Sequence, residues 1–181
     1  ALDGAADVDL ATGSVTLDTS AGNGVVTFAT AGNVDGAQDF TITAGSGAVN
    51  LSAIGAGTAV GAFDLDSTGT TTVNGNISAG SIAMDGATDV DLATGAITLS
   101  TSAANGAITL TGGAVDGAQD LTITAGSGAV SLDGVGQSTP VGALDVDTTG
   151  ALTFNDGVAA SSIALDGAAD VDLATGSVTL D

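Results

Sequence analysis

Apolar and polar residues alternate along most of this chain with a period of two. Segments such as DVDL (89–92), DLTI (120–123) and ALTF (151–154) place an apolar side chain at every second position. This alternation is typical of a β-strand with one buried face, and the β-branched residues Thr, Val and Ile favour it. Gly, Asn, Asp and Ser are concentrated in turns between these segments, and the helix formers Glu, Lys and Arg are absent. The pattern predicts an all-β fold with essentially no helix.

The chain is internally repetitive. Residues 1–18 recur letter for letter at 164–181, and a related copy occupies 83–100. We therefore divide the chain into a first repeat unit at 1–82, a second at 83–163 and the start of a third at 164–181. Self-similarity of this kind is typical of repeat architectures. We expect one continuous array, of which this chain is a window.

A shorter pattern recurs inside each unit. The segments VDLATGAITL, LTITAGSGAVSL and LDVDTTGALTF all read as apolar-x-apolar, a turn with Gly, and a second strand. Such short pieces cannot bury their apolar faces alone, so they predict a parallel β-helix, or β-solenoid, of stacked coils. We expect three coils of roughly 27 residues per unit, with four of about 20 as the alternative. We expect one interior row to hold Val8, Phe40, Phe63, Val90, Leu121, Leu144 and Val171.

Tandem immunoglobulin-like β-sandwiches are the alternative architecture, because the length of one unit is close to that of one such domain. The chain contains no Trp or Tyr and only four Phe with which to fill sandwich cores. It also contains the shorter internal pattern, which a sandwich does not require. The sequence therefore favours the solenoid.

Composition excludes most catalytic and binding chemistry. The chain has no Lys, Arg, His or Cys, and all 21 acidic residues are Asp, so the formal net charge is −21. Nucleophilic dyads and zinc, haem or iron–sulfur sites lack their usual residues. Paired carboxylates can hydrolyse glycosides, but the aromatic and basic sugar contacts are missing. Nucleic acids and anionic membranes are bound by basic residues. We expect a protein that is not an enzyme, does not bind nucleic acid and does not insert into a membrane.

Asp residues two positions apart form the one pattern with candidate chemistry. In DVDL both carboxylates lie on the outward face of the strand, while Val and Leu point inward. Stacked coils bring such carboxylates to about 4.8 Å, and the chain has no basic residue to offset their repulsion. This pattern suggests Ca²⁺, which prefers oxygen ligands, and a solvated acidic face is the alternative. We also expect residues 144–147 to stack directly on 170–173. The candidate Ca²⁺ ligands are Asp7, Asp9, Asp64, Asp66, Asp89, Asp91, Asp145, Asp147, Asp170 and Asp172.

Two long segments resemble the central repeats of filamentous-haemagglutinin-type adhesins, which are giant bacterial exoproteins exported by two-partner secretion. The segments are DLTITAGSGAVSLDGVGQSTPVGALDVDTTGALTFNDGV (120–158) and GTTTVNGNISAGSI (69–82). The resemblance implies a right-handed parallel β-helix that forms a long stalk outside a bacterial cell. It also implies that binding and export functions lie elsewhere in the polypeptide.

These observations together predict a structural repeat segment of an extracellular bacterial adhesin or surface fibre. Its partners would be neighbouring repeats of the same chain and other copies in a fibre. Two alternatives remain open. One is a self-assembling extracellular filament or sheet subunit, and the other is a repeat module that binds Ca²⁺ or carbohydrate.

Overall fold

Each apolar-x-apolar segment forms a short strand, and the strands of successive coils pair in parallel. The computed structural model describes residues 7–28 and 32–174, which wind into an all-β solenoid of about seven turns. The only helical element of these residues is a single 3₁₀ turn at Ser20–Gly22. The strands are β1 (Asp7–Asp9), β2 (Val15–Asp18), β3 (Val26–Thr27), β4 (Asn33–Asp35), β5 (Phe40–Gly45), β6 (Val49–Leu51), β7 (Val60–Ser67), β8 (Thr70–Val73), β9 (Ile77–Asp85), β10 (Asp89–Leu92), β11 (Ile97–Ser100), β12 (Ile108–Thr111), β13 (Ala114–Asp116), β14 (Leu121–Gly126), β15 (Val130–Leu132), β16 (Val141–Thr148), β17 (Ala151–Phe154), β18 (Ala160–Asp166) and β19 (Asp170–Leu173).

Every turn passes through three sides, which we number in the order in which the chain meets them. On each side, strands stack in register, so an inward residue of one turn lies directly over the equivalent residue of the turn before it. The first side stacks Val8, Val34, Ile54, Ile77, Leu99, Ile123, Val146 and Leu165. The second side stacks Val15, Phe40, Phe63, Ile82, Ile108, Val130, Leu152 and Val171. The third side stacks Val26, Val49, Thr71, Val90, Val115, Val135 and Val158.

These rows form one continuous core. The strands bury every second residue, as in β14, where Leu121, Ile123 and Ala125 are fully buried and the residues between them are not. The rings of Phe40 and Phe63 stack on successive turns at 6.0 Å between centroids. The solenoid prediction is therefore confirmed. The sandwich alternative is wrong, because strands of one coil pair with the next coil rather than closing within a unit.

The length of a turn differs from both sequence-based expectations. The seven turns from Val8 to Leu165 take 157 residues, which is about 22 residues per turn. Between Val8 and its repeat counterpart Val90 the chain crosses eleven sides, so one unit makes three and two-thirds turns. Neither three coils of 27 nor four of 20 is correct, because the corners differ in length and a unit does not contain a whole number of turns.

Each unit is consequently rotated by one side relative to the unit before it. Val8 lies on the first side, its counterpart Val90 on the third and the next counterpart Val171 on the second. Phe40 likewise lies on the second side, whereas its counterpart Leu121 lies on the first. The prediction that these residues share one interior row is wrong. They all face inward, but they lie in four rows on the three sides, because Leu121 and Leu144 stack in a first-side row separate from that of Val8.

Columns of glycine mark corners where the backbones of neighbouring turns come closest. In the first unit Gly24, Gly47 and Gly69 form such a column, and a Cβ atom on Gly47 would overlap the carbonyl oxygen of Gly24. In the second unit, a Cβ atom on Gly128 would overlap the carbonyl oxygen of Gly106. The column therefore moves with the unit from the second-to-third corner to the first-to-second corner.

Candidate functional site

The predicted Asp pairs do lie on the outer surface of the strands. In β10 the inward residues Val90 and Leu92 are 3% and 4% exposed, while Asp89 and Asp91 between them are half-buried and face outward. Three other pairs follow the same alternation, whereas all four residues of β19, which carries the fifth pair, are exposed. Asp7 and Asp9 lie in β1, Asp64 and Asp66 in β7, Asp145 and Asp147 in β16, and Asp170 and Asp172 in β19.

The carboxylates that lie close together in the structure are not those predicted from the sequence. Residues 144–147 do not stack on 170–173, because β16 pairs with β18 and β19 pairs with β17. Asp170 and Asp172 consequently lie opposite Ala151 and Thr153. Four carboxylate pairs do occupy opposite register positions on adjacent turns, namely Asp9–Asp35, Asp66–Asp85, Asp91–Asp116 and Asp147–Asp166.

One acidic contact lies on the third side, between Asp89 and Asp116. Asp116 is 3% exposed, and its Oδ1 accepts hydrogen bonds from the backbone N–H groups of Ser138 and Thr139, both at 2.8 Å. Its Oδ2 and the Oδ1 of Asp89 are also buried, and neither has a hydrogen-bond donor among the described residues. Burial raises the pKa of Asp89, with further contributions from the charges of Asp91 and Asp116. A hydrogen bond between these two carboxyl groups forms only when one of them carries a proton.

The same arrangement recurs one unit earlier, on the first side. Asp35 is 8% exposed, and its Oδ1 accepts hydrogen bonds from the N–H groups of Gly57 at 2.7 Å and Thr58 at 2.9 Å. Desolvation raises the pKa of Asp7, followed by the charges of Asp35 and Asp9 and the contact with the Asp35 carboxyl. The repeat therefore reproduces an acidic cluster as well as a fold.

A third cluster, on the second side, consists of Asp64, Asp66 and Asp85. Burial raises the pKa of Asp64, and the negative charges of Asp85 and Asp66 add to the effect. Asp18 shows the opposite behaviour at the end of β2, where hydrogen bonds from the hydroxyl and N–H of Ser20 lower its pKa. The raised values follow from burial and crowding of like charge, since the chain has no cationic side chain.

Another set of carboxylates, which the sequence did not predict, accepts hydrogen bonds from backbone N–H groups at the corners. The segment VDGAQD occurs unchanged at 34–39 and 115–120. Its second Asp also binds the next turn, since Asp39 Oδ1 accepts from the N–H of Ala62 at 2.8 Å and Asp120 Oδ1 from that of Ala143 at 2.7 Å. Both acidic residues of the motif therefore satisfy backbone donors where strand pairing stops. The unchanged repetition of VDGAQD in both units is the feature of the sequence that could have identified these two Asp residues.

The clusters do not assemble a recognisable metal centre. No group of three or more acidic side chains within 7–28 and 32–174 has the arrangement of a metal site. The two partnerless oxygens of Asp89 and Asp116 can share one proton. The Ca²⁺ ligand set inferred from the sequence stays a prediction.

Comparisons with known proteins leave the chain without a match. No family model, curated protein or solved structure is significantly similar to it. Among the helices of the described residues, none has the length and apolarity needed to cross a membrane.

Proposed function

We propose that this chain is a structural repeat segment of an extracellular bacterial adhesin or surface fibre, in which it provides a long, stiff stalk. The observation that carries the proposal is the continuity of the stack. Each turn covers the apolar edge of the one before it, and the sequence returns to its own beginning after two units. An array built in this way lengthens without exposing new sheet edges along its length.

The dimensions of the solenoid support a role as a stalk. Successive parallel strands lie about 4.8 Å apart, so one unit of three and two-thirds turns adds about 18 Å of length. The interior rows run without a break through the unit junction, since β9 spans it and pairs with strands of both units. A junction of this kind contains no linker at which the array could bend.

Surface chemistry supports an exposed location. The net charge of −21 keeps neighbouring fibres apart and in solution. The absence of Lys and Arg removes every cleavage site for trypsin-like proteases. Both properties suit a fibre outside the cell, and cell-surface location is part of the proposal.

The proposal is tested by the length of engineered arrays. Tandem copies of residues 1–163 should give rods whose length, measured by electron microscopy, rises linearly by about 36 Å per copy. Flexible strings of beads, or a length per copy well below this value, would reject a stiff stalk. Antibody labelling of intact producing cells tests location separately, and absence of labelling before lysis would reject a surface fibre.

Binding of Ca²⁺ is a second candidate function, favoured by the buried, partnerless oxygens of Asp89 and Asp116. A calcium-specific rise in melting temperature that depends on Asp89 would support it. Carbohydrate binding gains no comparable support, because Phe28, Phe40, Phe63 and Phe154 are all buried and offer no ring to a sugar.

A further inference from the structure

Asp89 and Asp116 lie in the middle of the stack, and each has one buried carboxylate oxygen that no donor reaches. Asp116 is 3% exposed, and its Oδ1 is already held by the N–H groups of Ser138 and Thr139. Its Oδ2 and the Oδ1 of Asp89 have no hydrogen-bond donor among the residues that the structure describes, although the two carboxyl groups are in contact. Each of these two oxygens is therefore the polar group that the other one meets.

No positive charge offsets this contact. The chain has no cationic side chain, and β8, on the other edge of β10, contributes only Thr and Val. The segment 134–139, whose backbone bonds to β13 and the corner after it, contains no titratable residue. The other carboxylates nearby add negative charge, namely Asp91 on the same strand and Asp133 at the corner before β13. Two ionised oxygens at this place repel each other without a counter-charge.

A single proton converts this repulsion into a hydrogen bond. The two N–H groups that bind Asp116 stabilise a negative charge on its carboxylate. Burial raises the pKa of Asp89, and the charges of Asp91 and Asp116 raise it further. The proton therefore resides on Asp89, whose O–H donates to the Oδ2 of Asp116. When the proton leaves, the same two atoms become two facing anions.

The pair connects three successive turns of the solenoid. Asp89 lies in β10, Asp116 lies in β13 of the next turn, and the N–H groups that bind Asp116 belong to the turn after that. We propose that Asp89 and Asp116 form a proton-operated latch, which holds β10 against β13 when the two carboxyl groups share one proton and lets this strand pair open locally when the proton is lost. The latch operates within one chain, so it does not depend on the role of the array as a stalk.

The first unit contains the same arrangement on another side. The carboxyl group of Asp35 contacts Asp7 and accepts the N–H groups of Gly57 and Thr58 from the following turn. Because each unit is rotated by one side, successive units place their latches on different sides of the solenoid. A longer array would consequently loosen on all three sides as the pH rises, at one latch in each unit.

Amide hydrogen exchange of the whole chain tests the latch, when it is measured by NMR and corrected for the intrinsic exchange rate at each pH. Protection of β13, Ser138 and Thr139 should fall about tenfold between pH 5 and pH 8, because opening becomes easier once both carboxyl groups are ionised. β11 and β14 pair with each other and contain no Asp, so they are the internal reference and should keep their protection. Equal changes in the two regions, or no change at β13, overturn the proposal.

Two single variants separate a latch from general crowding of charge. D89N carries a permanent N–H donor towards Asp116, so protection of β13 should stay high at both pH values. D91N is the matched control, because it removes a carboxylate of the same strand that lies outside the latch, and it should respond to pH as the parent does. A D89N chain that still loses protection, or a D91N chain that no longer responds, overturns the proposal.

Carbon-13 NMR titration of the Asp carboxyl groups detects the proton without any substitution. The carboxyl group of Asp89 should keep its proton to a higher pH than the Asp residues of an unstructured DVDL peptide. The Cγ signal of Asp116 should change in the same step, since the two groups share the proton. Ionisation of Asp89 together with the peptide, and without a response at Asp116, would show that no latch exists.

Discussion

The first and second repeat units contain nearly the same residues but place them on different sides of the solenoid. The cluster of Asp7 and Asp35 lies on the first side, and its counterpart, Asp89 and Asp116, lies on the third. Both Asp35 and Asp116 are buried, and each accepts two backbone N–H groups from the following turn. A residue's environment is therefore set by the turns directly before and after it, and the three sides are interchangeable.

The buried side chains show the same equivalence of the three sides. Phe40 and Phe63 stack on the second side of the first unit, and Leu121 and Leu144 take their places on the first side of the second unit. All four side chains are almost completely buried. The core thus accepts either an aromatic or a branched aliphatic pair at equivalent stacked positions.

The largest loss of stability is expected from substitutions that add a side chain within the glycine columns. G128A should lower the free energy of unfolding by about 3 kcal/mol, because the new methyl group overlaps the carbonyl oxygen of Gly106 and the core cannot absorb it. G47A should cost a similar amount, since Gly47 meets Gly24 in the same way at a different corner. Chemical denaturation of each variant gives these values. G22A is the control, because the space around Gly22 is open, and its change should stay within about 0.5 kcal/mol. A large loss for G128A with none for G47A would disprove the equivalence of the two units.

A smaller but still substantial loss is expected at the corner carboxylates. D116A removes an acceptor from the N–H groups of Ser138 and Thr139, and should cost about 2 kcal/mol even though it also relieves repulsion with Asp89. D35A should cost the same within error, since Gly57 and Thr58 lose the same acceptor. Denaturant midpoints at pH 7 check both values. Two costs that differ by more than about 1 kcal/mol would show that the sides are not interchangeable.

Acidification should stabilise the chain, although by less than these substitutions destabilise it. The folded-state pKa values of Asp7, Asp64 and Asp89 are raised, so the folded chain binds protons more readily than the unfolded chain. Their contribution is complete below the unfolded Asp pKa of about 4 and is lost as the pH rises through the folded values. The lowered pKa of Asp18 acts in the opposite direction, but only as the pH falls through its folded value.

Melting temperatures at matched ionic strength should therefore rise as the pH falls from 7 towards 4.5. The D89N variant should lose part of this rise, because its side chain does not titrate. D156N is a control at an exposed Asp outside the three clusters, and it should keep the full rise. Melting temperatures that fall steadily over this range would contradict the crowding of carboxylates in the three clusters.

The smallest effect on stability is expected from the addition of Ca²⁺. If Ca²⁺ occupies the Asp89–Asp116 cluster, millimolar CaCl₂ should raise the melting temperature by a few degrees beyond NaCl at equal ionic strength, because the ion binds only the folded chain. D89N should abolish the calcium-specific part, and D145N should not, because Asp145 lies opposite Ala164. Equal stabilisation by the two salts would leave a solvated acidic face as the explanation of the Asp rows.

The strands were predictable from the sequence, because alternation in a segment such as DVDL depends only on which residues face the core. Stacking was also predictable, since residues 83–100 repeat 1–18 and neither segment can bury its apolar face alone. The turn length was not, because turns of 19 residues (Val146 to Leu165) and 26 residues (Val8 to Val34) coexist. Corner loops absorb that difference without any change in strand pattern.

The acidic site was predictable only in part, for a related reason. The outward direction of Asp89 and Asp91 follows from the period of two. The partners of Asp116 and Asp120 are backbone N–H groups one turn later, which no local pattern identifies without the turn length. Assuming whole turns per unit placed Asp145 and Asp147 against Asp170 and Asp172, where the structure has Ala151 and Thr153.

Rotation of each unit by one side underlies all of these comparisons, and disulfide formation in double-cysteine variants can detect it. Thr153 and Asp172 face outward on adjacent turns of the second side. T153C/D172C should form an intramolecular disulfide rapidly under mild oxidation, while D147C/D172C should stay reduced because these positions lie on different sides. Rapid closure of D147C/D172C, with T153C/D172C remaining reduced, would show that the units stack in phase and that the rotation does not exist.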